Sequence, residues 1–183
     1  MRYLLLIALC FTSHIYADED DKCNIVKKKD ISFRDNNSKD ILEVSLIGET
    51  CRTADLKLRI LTLEGSVIYD YKFNYKVGLN SVYGPEDERI DKQLNYLLKN
   101  AIGNSSKLPK RERDCDENNN CWGDGYFPGF EIYTRSDIGF KEYEKIQKEG
   151  IPTLNHSVGR EAWETFVYDK KNKNVISVFF TSV

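Results

Sequence analysis

Leu56-Lys57-Leu58-Arg59-Ile60-Leu61-Thr62-Leu63-Glu64-Gly65-Ser66-Val67-Ile68-Tyr69-Asp70-Tyr71-Lys72-Phe73-Asn74-Tyr75 is the stretch that decides the fold. Leu56, Leu58 and Ile60 alternate with Lys57 and Arg59, and Val67, Tyr69, Tyr71, Phe73 and Tyr75 alternate with Asp70, Lys72 and Asn74. Successive side chains of a strand point to opposite faces, so each run has one apolar side and one polar side. Leu63-Glu64-Gly65-Ser66 between them supplies turn chemistry. The pattern predicts a hairpin with one buried face. Its aromatic row belongs to the core, because aromatic and β-branched cross-strand pairs stabilise a sheet most.

Toward the N-terminus, residues 41–47 alternate well enough for another strand, and 31–33 give a shorter candidate. Toward the C-terminus, punctuation predicts a helix. Pro85 fits its first position, and Glu86, Asp87 and Glu88 complement the positive end of the helix dipole. Ile90, Leu94, Leu97, Leu98 and Ala101 make one apolar stripe before Gly103 ends it. Residues 104–130 show no period and are rich in Asn, Asp, Gly, Lys and Pro, which reads as a long surface loop. A shorter helix is expected from Ser136 as N-cap through Phe140, Tyr143 and Ile146 to Gly150, with Pro152 preventing its continuation. Residues 162–168 and 175–180 form a second hairpin around Lys171-Asn172-Lys173-Asn174. Hairpins flanking a helical middle favour an α+β fold: antiparallel sheet from two or more hairpins, a longer and a shorter helix packed on it, and disulfide bonding.

The first 17 residues read as a cleavable signal peptide. Arg2 supplies a positive start, residues 3–11 form an uncharged apolar run, and Ala17 precedes Asp18-Glu19-Asp20-Asp21. The run is too short to span a bilayer, which takes roughly 20 apolar residues, and no later segment approaches that length. Residues 18–183 are therefore expected to form one exported domain, periplasmic or extracellular. About 166 of the 183 residues would remain.

Cleavage changes the chemical inventory. Of five cysteines, Cys10 leaves and Cys23, Cys51, Cys115 and Cys121 remain, an even number suited to an oxidising compartment. Four cysteines allow three connectivities. Pairing Cys23 with Cys51 and Cys115 with Cys121 is preferred because the second pair closes a short polar loop, and loop entropy gives about 3.5 and about 2.5 kcal/mol respectively. The spacing of a zinc site is lacking. His14 leaves as well, so His156 is the one histidine of the mature chain. Two-histidine metal centres and a Cys-His nucleophile are thereby disfavoured, and no Gly-x-Ser-x-Gly elbow accompanies His156. Lys and Arg total 27 against 29 Asp and Glu, a mild acidic balance that argues against nucleic acid as a partner.

Three constellations could carry function. Asp114, Asp116 and Asn118 stand at alternate positions, as oxygen ligands do at the start of a calcium loop. Asn119 then occupies the place of the turn glycine and Gly125 that of the closing glutamate, so calcium is a thin candidate and no other cofactor is implied. Trp122, Tyr126, Phe127 and Phe130, interleaved with Gly123, Gly125, Pro128 and Gly129, could anchor an interface or plug a satellite core. His156, with Arg160 and Glu161 nearby, could serve acid-base chemistry or simply make a local hydrogen bond in a loop before a strand. Asn36, Asn104 and Asn155 open glycosylation sequons, and Lys27-Lys28-Lys29 reads as solvated charge.

A leader, a small α+β domain and scant catalytic equipment favour an exported binding protein over an enzyme. An inhibitor or immunity-type protein would recognise a protein partner through Trp122, Tyr126, Phe127 and the segment of His156. The alternatives are a carboxylate-based hydrolase of envelope or extracellular polymer, and an envelope protein without a defined ligand.

Overall fold

The structure, a computed structural model, describes residues 22–51, 53–73, 86–111, 133–136, 138–159 and 162–182. The deciding hairpin forms. Strand β3 (Asp55–Thr62) pairs antiparallel with β4 (Val67–Phe73), and Gly65 turns the chain with φ of 85°, a left-handed value that suits glycine. The Gly65 N–H donates to the Thr62 carbonyl at 3.0 Å and the Thr62 N–H to that of Ser66 at 2.9 Å. Strands β1 (Cys23–Ile31) and β2 (Asp40–Gly48) complete a four-stranded meander in the order β1-β2-β3-β4. In register, Leu42 faces Ile60, Val44 faces Leu58 and Leu46 faces Leu56, and all six are fully buried on one face.

One detail of the hairpin departs from simple alternation. The register shifts between Ile60 and Leu61, so that Tyr69 opposes Ile60 while Val67 opposes Leu61. Strand β4 thus carries an extra residue there, a bulge, which turns Val67 outward and brings Ile68 against the core. Sequence alternation alone had placed Val67 on the aromatic side.

Helix α1 (Glu86–Asn100) lies on the buried face of the meander against β1 and β2. Ile90, Leu94, Leu97 and Ala101 are buried in that contact as the stripe requires. The helix stops at Asn100, before Gly103. Gly103 lies instead in strand β5 (Ile102–Asn104), where a Cβ would sit 2.7 Å from Asn155 Nδ2 and 2.8 Å from Thr153 Oγ1. Close approach of a neighbouring strand, not helix termination, explains that glycine.

Strands β6 (Tyr133–Arg135), β7 (Pro152–Gly159), β8 (Ala162–Asp169) and β9 (Asn174–Ser182) join β5 in a second antiparallel sheet, ordered β5-β7-β8-β9-β6. The expected C-terminal hairpin is β8–β9. Its turn is tied by Asp169 Oδ1, which accepts the N–H groups of Lys171 at 2.9 Å and Asn172 at 3.3 Å. Phe166, Tyr168 and Leu154 face the core of the first sheet. On the opposite face Val167, Val178 and Phe179 pack with Tyr143 and Ile146 of helix α2 (Phe140–Glu149). The result is a mixed α+β architecture with a helix on each of two sheets.

Four further expectations need correction. The first strand runs over Cys23–Ile31 rather than 31–33: Cys23, Ile25 and Ile31 belong to the buried face or its edge, and the lysine run hid that period. Nor are those lysines merely solvated. Lys27 Nζ bonds Asn95 Oδ1 at 2.8 Å and pairs with Asp91, Lys29 Nζ reaches the Leu98 carbonyl at 3.2 Å, and Lys28 pairs with Glu43. Lysines on an edge strand also discourage pairing with another chain.

The 104–130 segment does not begin as a loop. Asn104 ends β5 and caps a single 3-10 turn (Ser105–Lys107), and Leu108 is buried against α2, while 112–130 lie outside the described residues. Ser136 does not cap α2. Its Oγ donates to the Val178 carbonyl at 2.6 Å, and Gly139 occupies the cap position with no side-chain bond. Gly150, with φ of 61°, closes that helix as expected.

The cystine between Cys23 and Cys51 is present, with Cα atoms 4.8 Å apart and a sequence separation of 28. It ties the start of β1 to the β2–β3 connection. Cys115 and Cys121 lie outside the described residues, as do residues 1–17. Among the described residues no helix is long and apolar enough to cross a membrane.

Candidate functional site

His156 is the natural starting point, because it is the one histidine past the expected leader. It sits in strand β7, not in a loop before a strand as its polar neighbours Asn155 and Ser157 implied. Alternation along β7 sends Leu154 and His156 to one face, and β8 places Glu164 directly opposite His156 and Phe166 opposite Leu154. That face meets β4. His156 is therefore enclosed where the two sheets touch, at 3% exposure.

Aromatic rings make the enclosure. Tyr71 lies 4.3 Å from the imidazole centroid, Phe166 stacks at 5.2 Å with planes 19° apart, Phe73 meets it edge-on at 5.5 Å, and Tyr69 is tilted at 5.6 Å. The row Tyr69-Tyr71-Phe73 is thus core, as the alternating pattern indicated, and its function is to close over a histidine from the other sheet. Offset and edge-on ring pairs of this kind contribute about 0.5–1.5 kcal/mol each beyond area burial.

The imidazole's protonation follows from its partners. Nδ1 lies 3.0 Å from the Ser157 carbonyl oxygen, which can only accept, so Nδ1 carries the proton. Nε2 is then a bare acceptor, and the Tyr69 hydroxyl, 2.6 Å away, donates to it. Burial pushes the His156 pKa down, and the bond to the Ser157 carbonyl recovers only part of that, leaving it below its ordinary value. Burial likewise pushes the Tyr69 phenol up, with smaller contributions from the charges of Glu164 and Tyr71. Tyr71 moves the same way by burial and then by Glu164.

The result is a neutral imidazole with both nitrogens engaged and a phenol that keeps its proton. Neither group is poised to exchange a proton with a substrate, since a general acid or base must reach the reacting atom. Scarcity singles out His156 in the sequence, and its expected neighbours Arg160 and Glu161 lie outside the described residues. Tyr69 was legible only as one member of a core row. A contact spanning 87 residues leaves no local trace in sequence.

His156 was also a candidate for direct contact with a partner. Its burial rules that out for the side chain in this conformation. Trp122, Tyr126 and Phe127 lie outside the described residues, and so do the calcium candidates Asp114, Asp116 and Asn118. Among the described residues no group of three His, Cys, Asp or Glu could hold a metal. Trp163 carries no motif that marks it in the sequence. It lies on the face of β8 that Thr165 and Val167 share, away from Phe166, and is 48% exposed.

The buried carboxylates sit elsewhere, in the first sheet. Asp40 accepts from the Phe33 N–H at 3.1 Å, the Arg34 N–H at 3.0 Å, Arg34 Nε at 2.7 Å and Ser38 Oγ at 2.6 Å. Burial alone would raise its pKa, but the Ser38, Arg34 and Phe33 bonds outweigh that and hold it below the usual value. Glu43 follows the same logic: burial raises it, and Lys28 at 3.0 Å together with Arg59 brings it down. Both carboxylates are structural, each with its charge neutralised on the spot. Two sequon asparagines are similarly engaged. Asn104 Nδ2 donates to the Gly150 carbonyl at 2.7 Å, and Asn155 Nδ2 contacts Thr153 Oγ1 at 3.2 Å, while Asn36 is exposed in the β1–β2 turn.

No protein-family model, no curated protein and no solved structure matches the chain.

Proposed function

We propose that this is an exported binding protein that acts on a protein partner through its surface rather than on a small substrate in a cleft. The observation that carries the reading is the closure of the His156 site. The one histidine expected to survive leader removal is buried, neutral and hydrogen-bonded at both nitrogens. Among the described residues, the carboxylates whose pKa moves, including Asp40 and Glu43, all move down. A glycosidase-type general acid needs the opposite shift. Exposed large side chains such as Trp163 and Ile47 are the kind that interfaces use as anchors. The Cys23–Cys51 cystine fits an oxidising compartment.

Secretion of the full chain from a host with a working export pathway tests the first half. The expected product begins at Asp18. Cross-linking in that compartment tests the second half. The expected result is a stoichiometric complex with one protein, lost in Trp122→Ala, Tyr126→Ala or Trp163→Ala variants that melt like the parent. Release of reducing ends from an envelope or extracellular polysaccharide by the purified chain, abolished by a carboxylate-to-amide substitution, would overturn the reading.

A further inference from the structure

We propose that the Tyr69–His156 contact is an acid-sensitive bolt between the two sheets, closed at neutral pH and released when the imidazole takes a second proton. Within the aromatic enclosure the contact is a polar bond that joins β4 of the first sheet to β7 of the second. Its direction is fixed, since the Nδ1 proton faces a carbonyl and Nε2 must accept from Tyr69. A proton added to Nε2 turns this nitrogen into a donor. The Tyr69 hydroxyl hydrogen must then swing away from it, inside the shell formed by the Tyr71, Phe73 and Phe166 rings.

The groups facing the imidazole can be named element by element. Strand β4 presents Tyr69, Tyr71 and Phe73, and β8 presents Glu164 and Phe166. On the same face of the first sheet, β3 contributes Ile60 opposite Tyr69 and Leu58 opposite Tyr71, neither of them titratable. Both tyrosines stay neutral, so among the described residues Glu164 is the one carboxylate side chain placed opposite His156, and it is partly exposed. One partly hydrated carboxylate does not replace the water that a buried imidazolium loses.

The sign follows from linkage. A histidine whose folded pKa lies below its unfolded value of 6.5 leaves the unfolded chain binding more protons, so folding stability is full above pH 6.5 and falls as pH drops. For every unit separating the two pKa values, the folding equilibrium constant falls about tenfold. Carboxylates contribute in a lower window, because Asp40 and Glu43 are depressed from 3.8 and 4.5. The window between pH 6.5 and 5 therefore isolates imidazole.

The test compares the full chain with His156→Phe and Tyr69→Phe by urea unfolding from pH 7.5 to 5.0, with amide exchange in β4 and β7 corrected for intrinsic rates. Subtracting the His156→Phe curve removes any contribution from His14. The parent is expected to lose folding equilibrium constant across this window and to gain exchange at the β4–β7 contact, and His156→Phe is expected to be flat. Should His156→Phe fail to fold, Tyr69→Phe carries the test. Loss of the donor that favours neutral Nε2 raises the folded pKa and shrinks the fall. A parent curve that His156→Phe or Tyr69→Phe reproduces between pH 6.5 and 5 would overturn the proposal.

Discussion

Asp40, in the first sheet, and His156, between the sheets, are polar side chains withdrawn from water by opposite means. Asp40 keeps its charge because four donors, two of them backbone N–H groups, converge on its carboxylate. His156 gives up its charge, accepting one hydroxyl hydrogen and donating one N–H among aromatic rings. The two regions therefore fail at different points as pH falls. A depressed carboxylate stabilises the fold above its unfolded pKa and loses that contribution as pH falls through the folded value, below 3.8 for Asp40. A depressed histidine begins to lose its contribution already at 6.5. Acid should therefore loosen the contact between sheets before it dismantles the β1–β2 turn.

Two substitutions of similar size come first, one at the Asp40 carboxylate and one at the cystine. Asp40→Ala leaves Phe33 N–H and Arg34 N–H without their partner and strands the guanidinium, which should cost about 3 kcal/mol in urea unfolding at pH 7, the lower end for a broken buried pair because Arg34 is about one-third exposed. Replacing both Cys23 and Cys51 by serine should cost about 2–4 kcal/mol by the same measurement, since their cystine closes a 28-residue separation. Tyr69→Phe keeps the ring and leaves Nε2 unpaired, and about 1–2 kcal/mol is expected at pH 7. Lys28→Ala should fall below about 1 kcal/mol, because Glu43 keeps Arg59 and the lysine is more than half exposed. A Lys28 effect as large as that of Asp40 would erase the contrast between turn and surface.

What could be seen in sequence follows from the range of the interactions. The hairpins β3–β4 and β8–β9 and both helices were legible because their periods, turns and glycines act over a few residues. Strand β7 was not, since Asn155 and Ser157 mask an inward Leu154-x-His156 alternation that only the facing aromatics reveal. Strand β1 hid behind lysines whose ammonium groups reach past the sheet to α1. The bulge at Val67 and the redirected Ser136 depend on tertiary partners, Leu61 and the Val178 carbonyl, that no local window contains. At the candidate site, sequence supplied His156 by elimination, and the first cystine by preference among three pairings. Tyr69, Phe166 and Glu164 became partners only when two sheets were brought face to face.

The buried, singly protonated imidazole of His156 can be read directly by nitrogen-detected NMR of its ring. At pH 7.5 the expected spectrum is that of the Nδ1–H tautomer, with a hydrogen-bonded Nε2 and titration below 6.5. An imidazole that titrates at or above 6.5 with the fold intact, or that carries its single proton on Nε2, would contradict it.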